Sequence, residues 1–278
     1  GVEWAWLAFG SEGRDEQTFS TDQDNGIVFT CPDAAEVKPL RKRFLAFALD
    51  VNKDLDRCGF PLCKGNIMAS NPQWCLTLDE WKNQFSKWVR SPEPDALLNG
   101  SIFFDFRALF GNAELAEQMR RFLLTATGGN SLFLQAMARN ALSVAPPLGT
   151  LRDFITDLEP GHPGKIDLKK YGSRIFVDVA RIYALATGVH NTNSVQRLRI
   201  ASKRLAIRDE EVNAVLEGLD FIQLLRLRHQ YLEDKPGVQG DNLIDPNDLN
   251  ELDRRVLKES FRQARKLQTR LKLDYQVH

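Results

Sequence analysis

The sequence predicts an α+β protein in two parts, a mixed half over residues 1–115 and an all-helical half over residues 116–278. Three observations carry that expectation. Short apolar runs interleave with helix-periodic segments as far as about Asn112. Beyond it, strand signals nearly vanish and the helical period persists. At 278 residues and 43% apolar content, the chain is long enough to bury two ordinary cores. The boundary near residues 110–120 has no Gly/Ser-rich linker, so the halves are expected to pack together.

The elements follow in order. "WAWLAF" (4–9) is short and apolar throughout, as in a strand covered on both faces. Gly10-Ser11 breaks it, and residues 12–18 are polar enough for one or two helical turns. "DNGIVF" (24–29) reads as a second strand ending before Pro32. From Glu36 to Arg57 the apolar positions Leu40, Phe44, Phe47, Ala48, Val51 and Leu55 keep the helical period, with Gly59 as a stop. "CKGNIMA" (63–69) reads as a third strand. Thr77 and Glu80 form a capping box ahead of a helix whose apolar face is Trp81, Phe85, Trp88 and Val89, and Ser91-Pro92 ends it. "SIFFDF" (101–106) reads as the next strand. Helical periodicity then marks 113–125, 130–143, 173–187, 193–205, 209–233 and 248–273. Turn-rich loops at 159–167 and 234–246 interrupt them.

Composition narrows the function classes. Thirty-seven basic residues balance thirty-seven acidic ones, so no net field draws the chain to nucleic acid or anionic lipid. No apolar run approaches the roughly 18 residues of a membrane span. Cys31, Cys58, Cys63 and Cys75 form no CxxC pair and read as small apolar residues of a reducing cytoplasm. The chain opens inside a strand pattern, so it is expected to be a piece of a longer protein whose upstream regulatory domains are missing.

Chemistry concentrates in "GSEGRDEQTFSTDQDNGIVF" (10–29). Strand side chains alternate, so Asp22 and Asp24 share a face. Two like charges there suit hard divalent cations. Gly10 lets backbone approach an anion closely, Ser11 adds a hydroxyl, and the helix N-terminus beyond them presents free N–H groups to phosphate. Asp105 is a charge in an apolar run, costly to bury unless it is paired or metal-bound. Beside the Asp22/Asp24 strand it would complete a three-carboxylate site for two Mg²⁺ ions. The lesser alternative for Asp105 is an ion pair with Arg107 or another cation. Arg14 and Arg107 carry two readings as well, phosphate contact or an ordinary ion pair.

"GSEGRDEQTFSTDQDN" resembles the nucleotidyltransferase signature of the polymerase-β-like superfamily. With "MASNPQW", "SIFFDFR" and the helical tail, the chain is similar to the nucleotidyltransferases related to the bacterial protein-PII uridylyltransferase, often fused to CBS or cyclic-nucleotide-binding modules. That resemblance implies a small mixed sheet with helices, followed by a helical-bundle substrate domain. It implies Mg²⁺ at Asp22, Asp24 and Asp105, and phosphate contacts from Gly10, Ser11, Arg14 and Arg107. Lys64, Ser70 and Asn71 become candidates near the nucleotide, though loop-structural roles are the first reading for each. Asn25 stands where the superfamily usually has an apolar residue.

The expected activity is transfer of a nucleoside monophosphate from an NTP to a small-molecule or protein acceptor, releasing pyrophosphate. The helical half would select the acceptor, with loops 159–167 and 234–246 at the cleft mouth. The alternative is a nucleotide-sensing signal module with little turnover.

Overall fold

The computed structural model describes residues 2–149, 154–156, 158–233 and 240–277. The chain is α+β and forms two compact units. The first comprises Gly1–Gln17, Thr21–Phe133 and His190–Asn193; the second comprises Thr18–Ser20, Leu134–Val189 and Ser194–His278.

The first unit is built on β1 (Trp4–Ala8), β2 (Asn25–Phe29), β3 (Cys75–Thr77) and β4 (Arg107–Gly111), in the order β3-β2-β1-β4. β1 pairs antiparallel with β2 and β4, whereas β2 and β3 run parallel, so the sheet is mixed. Its helices are α1 (Gly10–Gly13), α2 (Val37–Arg57), α3 (Leu78–Arg90), α4 (Pro94–Phe103) and α5 (Ala113–Thr127). Alternation in β1 and β2 serves two cores. Trp6, Ile27 and Phe29 pack with Ala48 and Phe44 of α2. Around Phe9 gather Trp81 and Phe103, with ring centroids 5.7 and 4.8 Å away. Both faces of the central strands are therefore covered, which explains why "WAWLA" is apolar throughout. Trp81 anchors α3 to the sheet by donating its indole N–H to the Ile27 carbonyl at 3.0 Å. The capping box is present: the Thr77 hydroxyl accepts from the Glu80 N–H at 3.2 Å, and the Glu80 carboxylate accepts from the Thr77 N–H at 2.7 Å.

Two expected strands are not strands. Residues 63–69 form turns, and the strand paired with β2 starts only at Cys75. Residues 101–103 belong to α4, and the strand begins at Arg107. Pro94 at the first helical position favours the α4 start, and Phe103 is fully buried in the aromatic core. A six-residue apolar run cannot choose between helix and strand by period alone, and here packing decides it.

The second unit contains most of α6 (Ser131–Ala141), then α7 (Arg174–Thr187), α8 (Ser194–Arg204), α9 (Asp209–Glu233) and α10 (Glu251–Asp274). α7 is buried continuously from Ile175 to Leu185. Its charges are compensated inside: Arg181 donates to Asp178 at 2.7 Å, and Arg174 reaches the same carboxylate at 3.3 Å. Tyr183 donates its hydroxyl to Asp274 of α10 at 2.7 Å. The two loops meet through strands too short for the sequence to signal: β5 (Ile166–Asp167) pairs antiparallel with β6 (Leu243–Ile244). Residues 234–239 of the second loop lie outside the described residues. Among the described residues, no helix is long and apolar enough to cross a membrane.

Candidate active site

The site begins where β1 ends. Gly10 takes φ +58°, a left-handed conformation open to glycine, and turns the chain into the single turn of α1. The Phe9 N–H donates to the Asp24 carbonyl at 2.9 Å, which ties this turn to the segment entering β2. A Cβ on Gly10 would lie 3.3 Å from Oδ2 of Asp24, so the glycine and the carboxylate are direct neighbours. With only four residues, α1 offers little dipole to an anion. Gly10 matters here through its conformation and its missing side chain.

Asp22 and Asp24 stand just ahead of β2 rather than within it. The segment is nevertheless held in place by hydrogen bonds. Between the aspartates, buried Gln23 donates to the carbonyls of Asn52 at 2.9 Å and Phe60 at 2.8 Å. Asn52 of α2 donates in turn to Gln23 at 2.8 Å and to Asn25 at 3.0 Å. Asn25 also accepts from the Ala69 N–H at 2.8 Å. This amide network stitches α2 and loop 60–70 to the aspartate segment, and it accounts for a polar residue at position 25. Gln23 and Asn25 are buried in this network, whereas Asp22 and Asp24 stay half-buried.

The same stitching brings up Cys63. Ligand atoms of Asp22, Asp24 and Cys63 all lie within 4.8 Å of one another. Burial, with the Asp24 charge adding to it, pushes the Cys63 thiol up to about 11. The thiol hydrogen-bonds Asp24. Two hard carboxylate oxygens suit Mg²⁺, whereas soft sulfur does not, so the donor set fits the ion through Asp22 and Asp24 while Cys63 holds Asp24 through that hydrogen bond.

Asp105 is outside that group. It lies past the end of α4, fully buried, with Oδ2 2.8 Å from Nη1 of Arg14. Arg14 also binds Glu16 at 2.7 Å, so its guanidinium is engaged by two carboxylates. The backbone around Asp105 is clamped. A Cβ on Gly13 would meet the Asp105 carbonyl at 2.0 Å. Buried Arg120 of α5 donates to the carbonyls of Phe104 and Phe106, each at 2.6 Å, on either side of Asp105. Its guanidinium also stacks over the Phe106 ring at 3.9 Å.

Of the other candidates, Ser11 sits in the α1 turn. Arg107 donates to the Glu12 carbonyl at 3.0 Å and pairs with Asp15 at 2.9 Å. Burial raises the carboxyl of Glu12, with the nearby Arg107 charge opposing and Asp15 adding. Ser70 donates its N–H to Asn52 at 3.3 Å, and Asn71 bonds within its own loop. The four cysteines are free thiols, and Cys58 is exposed rather than buried. Sequence reasoning missed Cys63, Asn52 and Arg120. Arg120 could have been found as a cation on the apolar face of a periodic helix. Cys63 and Asn52 carry no local signal.

A mixed sheet with paired carboxylates just ahead of β2 and a Gly-Ser turn beside them, followed by a helical unit, has the layout of a nucleotidyl-transferring enzyme. Residues 131–275, just over half of the chain, match the family described as "Putative nucleotidyltransferase substrate binding domain". Residues 1–95 match "Putative nucleotidyltransferase DUF294". The chain belongs to this nucleotidyltransferase family. No curated protein matches it.

Proposed function

We propose that the chain is a metal-dependent nucleotidyltransferase that moves a nucleoside monophosphate from an NTP to a small-molecule or protein hydroxyl. The acceptor hydroxyl gives up its proton to solvent as its oxygen bonds to the α-phosphorus, the bond from that phosphorus to the α–β bridging oxygen breaks, and pyrophosphate leaves with that electron pair. The observation that carries the reading is the Asp22/Asp24 pair, gathered within 4.8 Å beside Gly10 in a chain of this family. Asp22 and Asp24 would hold Mg²⁺, which when bound neutralises charge on the α-phosphate and the leaving group. Cys63 keeps Asp24 oriented. Gly10 and Ser11 would face the phosphates, with Arg107 as an added cation. Residues 131–275 would bind the acceptor, in line with their family description.

Asp105 and Arg14 enter the proposal as a unit, the third carboxylate and its counter-charge. Asp105→Asn separates the two roles: lost metal affinity at wild-type stability marks a ligand, and lost stability at wild-type metal affinity marks an ion-pair partner. The test of the function itself is incubation with each α-labelled NTP, Mg²⁺ and cell lysate, scoring pyrophosphate release and a labelled metabolite or protein. Calorimetry of Mg²⁺–NTP binding runs alongside. Absence of metal-dependent binding by all four NTPs would sink the reading.

A further inference from the structure

Next to the carboxylates, the first unit holds a cavity of about 270 Å³. Its walls are aromatic: Trp4 meets the rings of Phe47 and Phe110 at 5.6 and 5.7 Å, and Trp6 meets Phe47 edge-on at 6.2 Å. Glu12, Asp22, Gln23 and Asn25 supply its polar lining. The Gln23 and Asn25 side chains are already spent on Asn52, Phe60 and Ala69. Neither the Glu12 nor the Asp22 carboxylate accepts a hydrogen bond from a described residue. The lining therefore combines aromatic surface with carboxylate acceptors that the fold itself does not use.

Resting on the nucleotidyltransferase reading, we infer that this cavity is the nucleobase subsite and that Glu12 reads the base edge, favouring bases rich in hydrogen-bond donors. Three observations support the assignment. Asp22 belongs both to the cavity and to the carboxylate group, so a ligand filling one borders the other. The volume falls just short of the ~300–1,000 Å³ of sites that engulf whole drug-sized ligands, which suits one ring system of a larger molecule. The acceptor is expected from residues 131–275, and the cavity lies wholly in the first unit, which leaves it to the nucleotide. Exposed aromatic rings are the usual platform for a base, because every base has a π-face.

Glu12 then sets the order of preference. An ionised carboxylate only accepts hydrogen bonds. Guanine offers adjacent N1–H and N2–H donors, adenine and cytosine offer an amino group beside an acceptor, and uracil offers one N–H between two carbonyls. The expected order is GTP first, ATP and CTP next, and UTP last, the reverse of what a uridylyltransferase would show.

The experiment titrates wild type, Phe110→Ala and Glu12→Gln with the four NTPs and with inorganic tripolyphosphate, all with Mg²⁺, by calorimetry. Phe110 is 70% exposed, so its removal spares the core, and circular dichroism checks each fold. Phe110→Ala should weaken every NTP about 5- to 150-fold, the range of a lost stacking contact, and leave tripolyphosphate unchanged. Glu12→Gln, with a donor and an acceptor in place of two acceptors, should collapse the GTP-over-UTP ratio. Tripolyphosphate binding as tightly as the NTPs, with Phe110→Ala silent, overturns the subsite while leaving the nucleotidyltransferase reading intact. Equal wild-type affinities for GTP and UTP, or a ratio unmoved by Glu12→Gln, overturn the role of Glu12. Failure of both NTPs and tripolyphosphate to bind refutes the underlying reading itself.

Discussion

Replacing Asp24 by Asn tests whether the paired carboxylates exist for a cation or for the fold. Their oxygens lie within 4.8 Å, and two unit charges at that separation repel by about 0.9 kcal/mol in bulk water and about 3.5 kcal/mol at an effective dielectric of 20. Both residues are half-buried, so relief of about 1–2 kcal/mol is expected when one charge is removed. The amide keeps an oxygen to accept from the Cys63 thiol. Weakening that bond from charged to neutral costs about 0.5–1 kcal/mol. Without metal, Asp24→Asn should therefore be at least as stable as wild type, by up to about 1.5 kcal/mol, a rise of up to about 3–6 °C in Tm. With Mg²⁺ and a non-hydrolysable NTP the order should reverse. Wild type gains about 2.7 kcal/mol when ligand stands at 100 times its Kd, and the variant, with its site broken, does not. Scanning calorimetry of both proteins in EDTA and in Mg²⁺–nucleotide gives four melting curves that settle the point. If the variant melts several degrees below wild type in EDTA, Asp24 is a structural acceptor and the reasoning from repulsion fails.

Two further outcomes rest on burial. Arg120→Leu leaves the Phe104 and Phe106 carbonyls unpaired in the interior at about 1–3 kcal/mol each. A loss of about 3–5 kcal/mol in urea unfolding is expected, and a loss below 1 kcal/mol would show that the clamp around Asp105 is dispensable. Burial, opposed by the Arg41 charge and reinforced by Glu80, pushes the Cys75 thiol from 9.0 up to about 12. Because the folded value is the higher one, this stability is complete below pH 9 and declines as pH rises from 9 toward 12, by about 1.4 kcal/mol per pH unit. Wild type should thus lose about 1.6 kcal/mol more than Cys75→Ala between pH 9 and 10.5 in urea titrations, and parallel pH profiles would refute the assignment.

The sequence alone determined the elements whose cause is local. Helix α2 shows its period in Leu40, Phe44, Val51 and Leu55, and α3 shows its capping box, because side chains three to four positions apart share a helix face whatever the rest of the chain does. Asp22 and Asp24 were legible as a pair from their two-residue spacing, and their carboxylates do lie within 4.8 Å of each other, although the strand expected to carry them starts only at Asn25. What the tertiary structure decided is which distant groups meet them. Arg14 finds Asp105 across 91 positions, Gln23 finds Asn52 across 29, and Cys63 reaches Asp24 only because that amide network draws loop 60–70 inward. The same holds for "SIFFDF": its run of apolar residues suits either period, and the aromatic core around Phe103, with Arg120 holding the carbonyls beyond it, made it the end of a helix followed by a turn. Backbone geometry repeats at fixed intervals and can be read along the chain. The partner of a buried charge depends on the path of the whole chain and on the cost of leaving that charge alone.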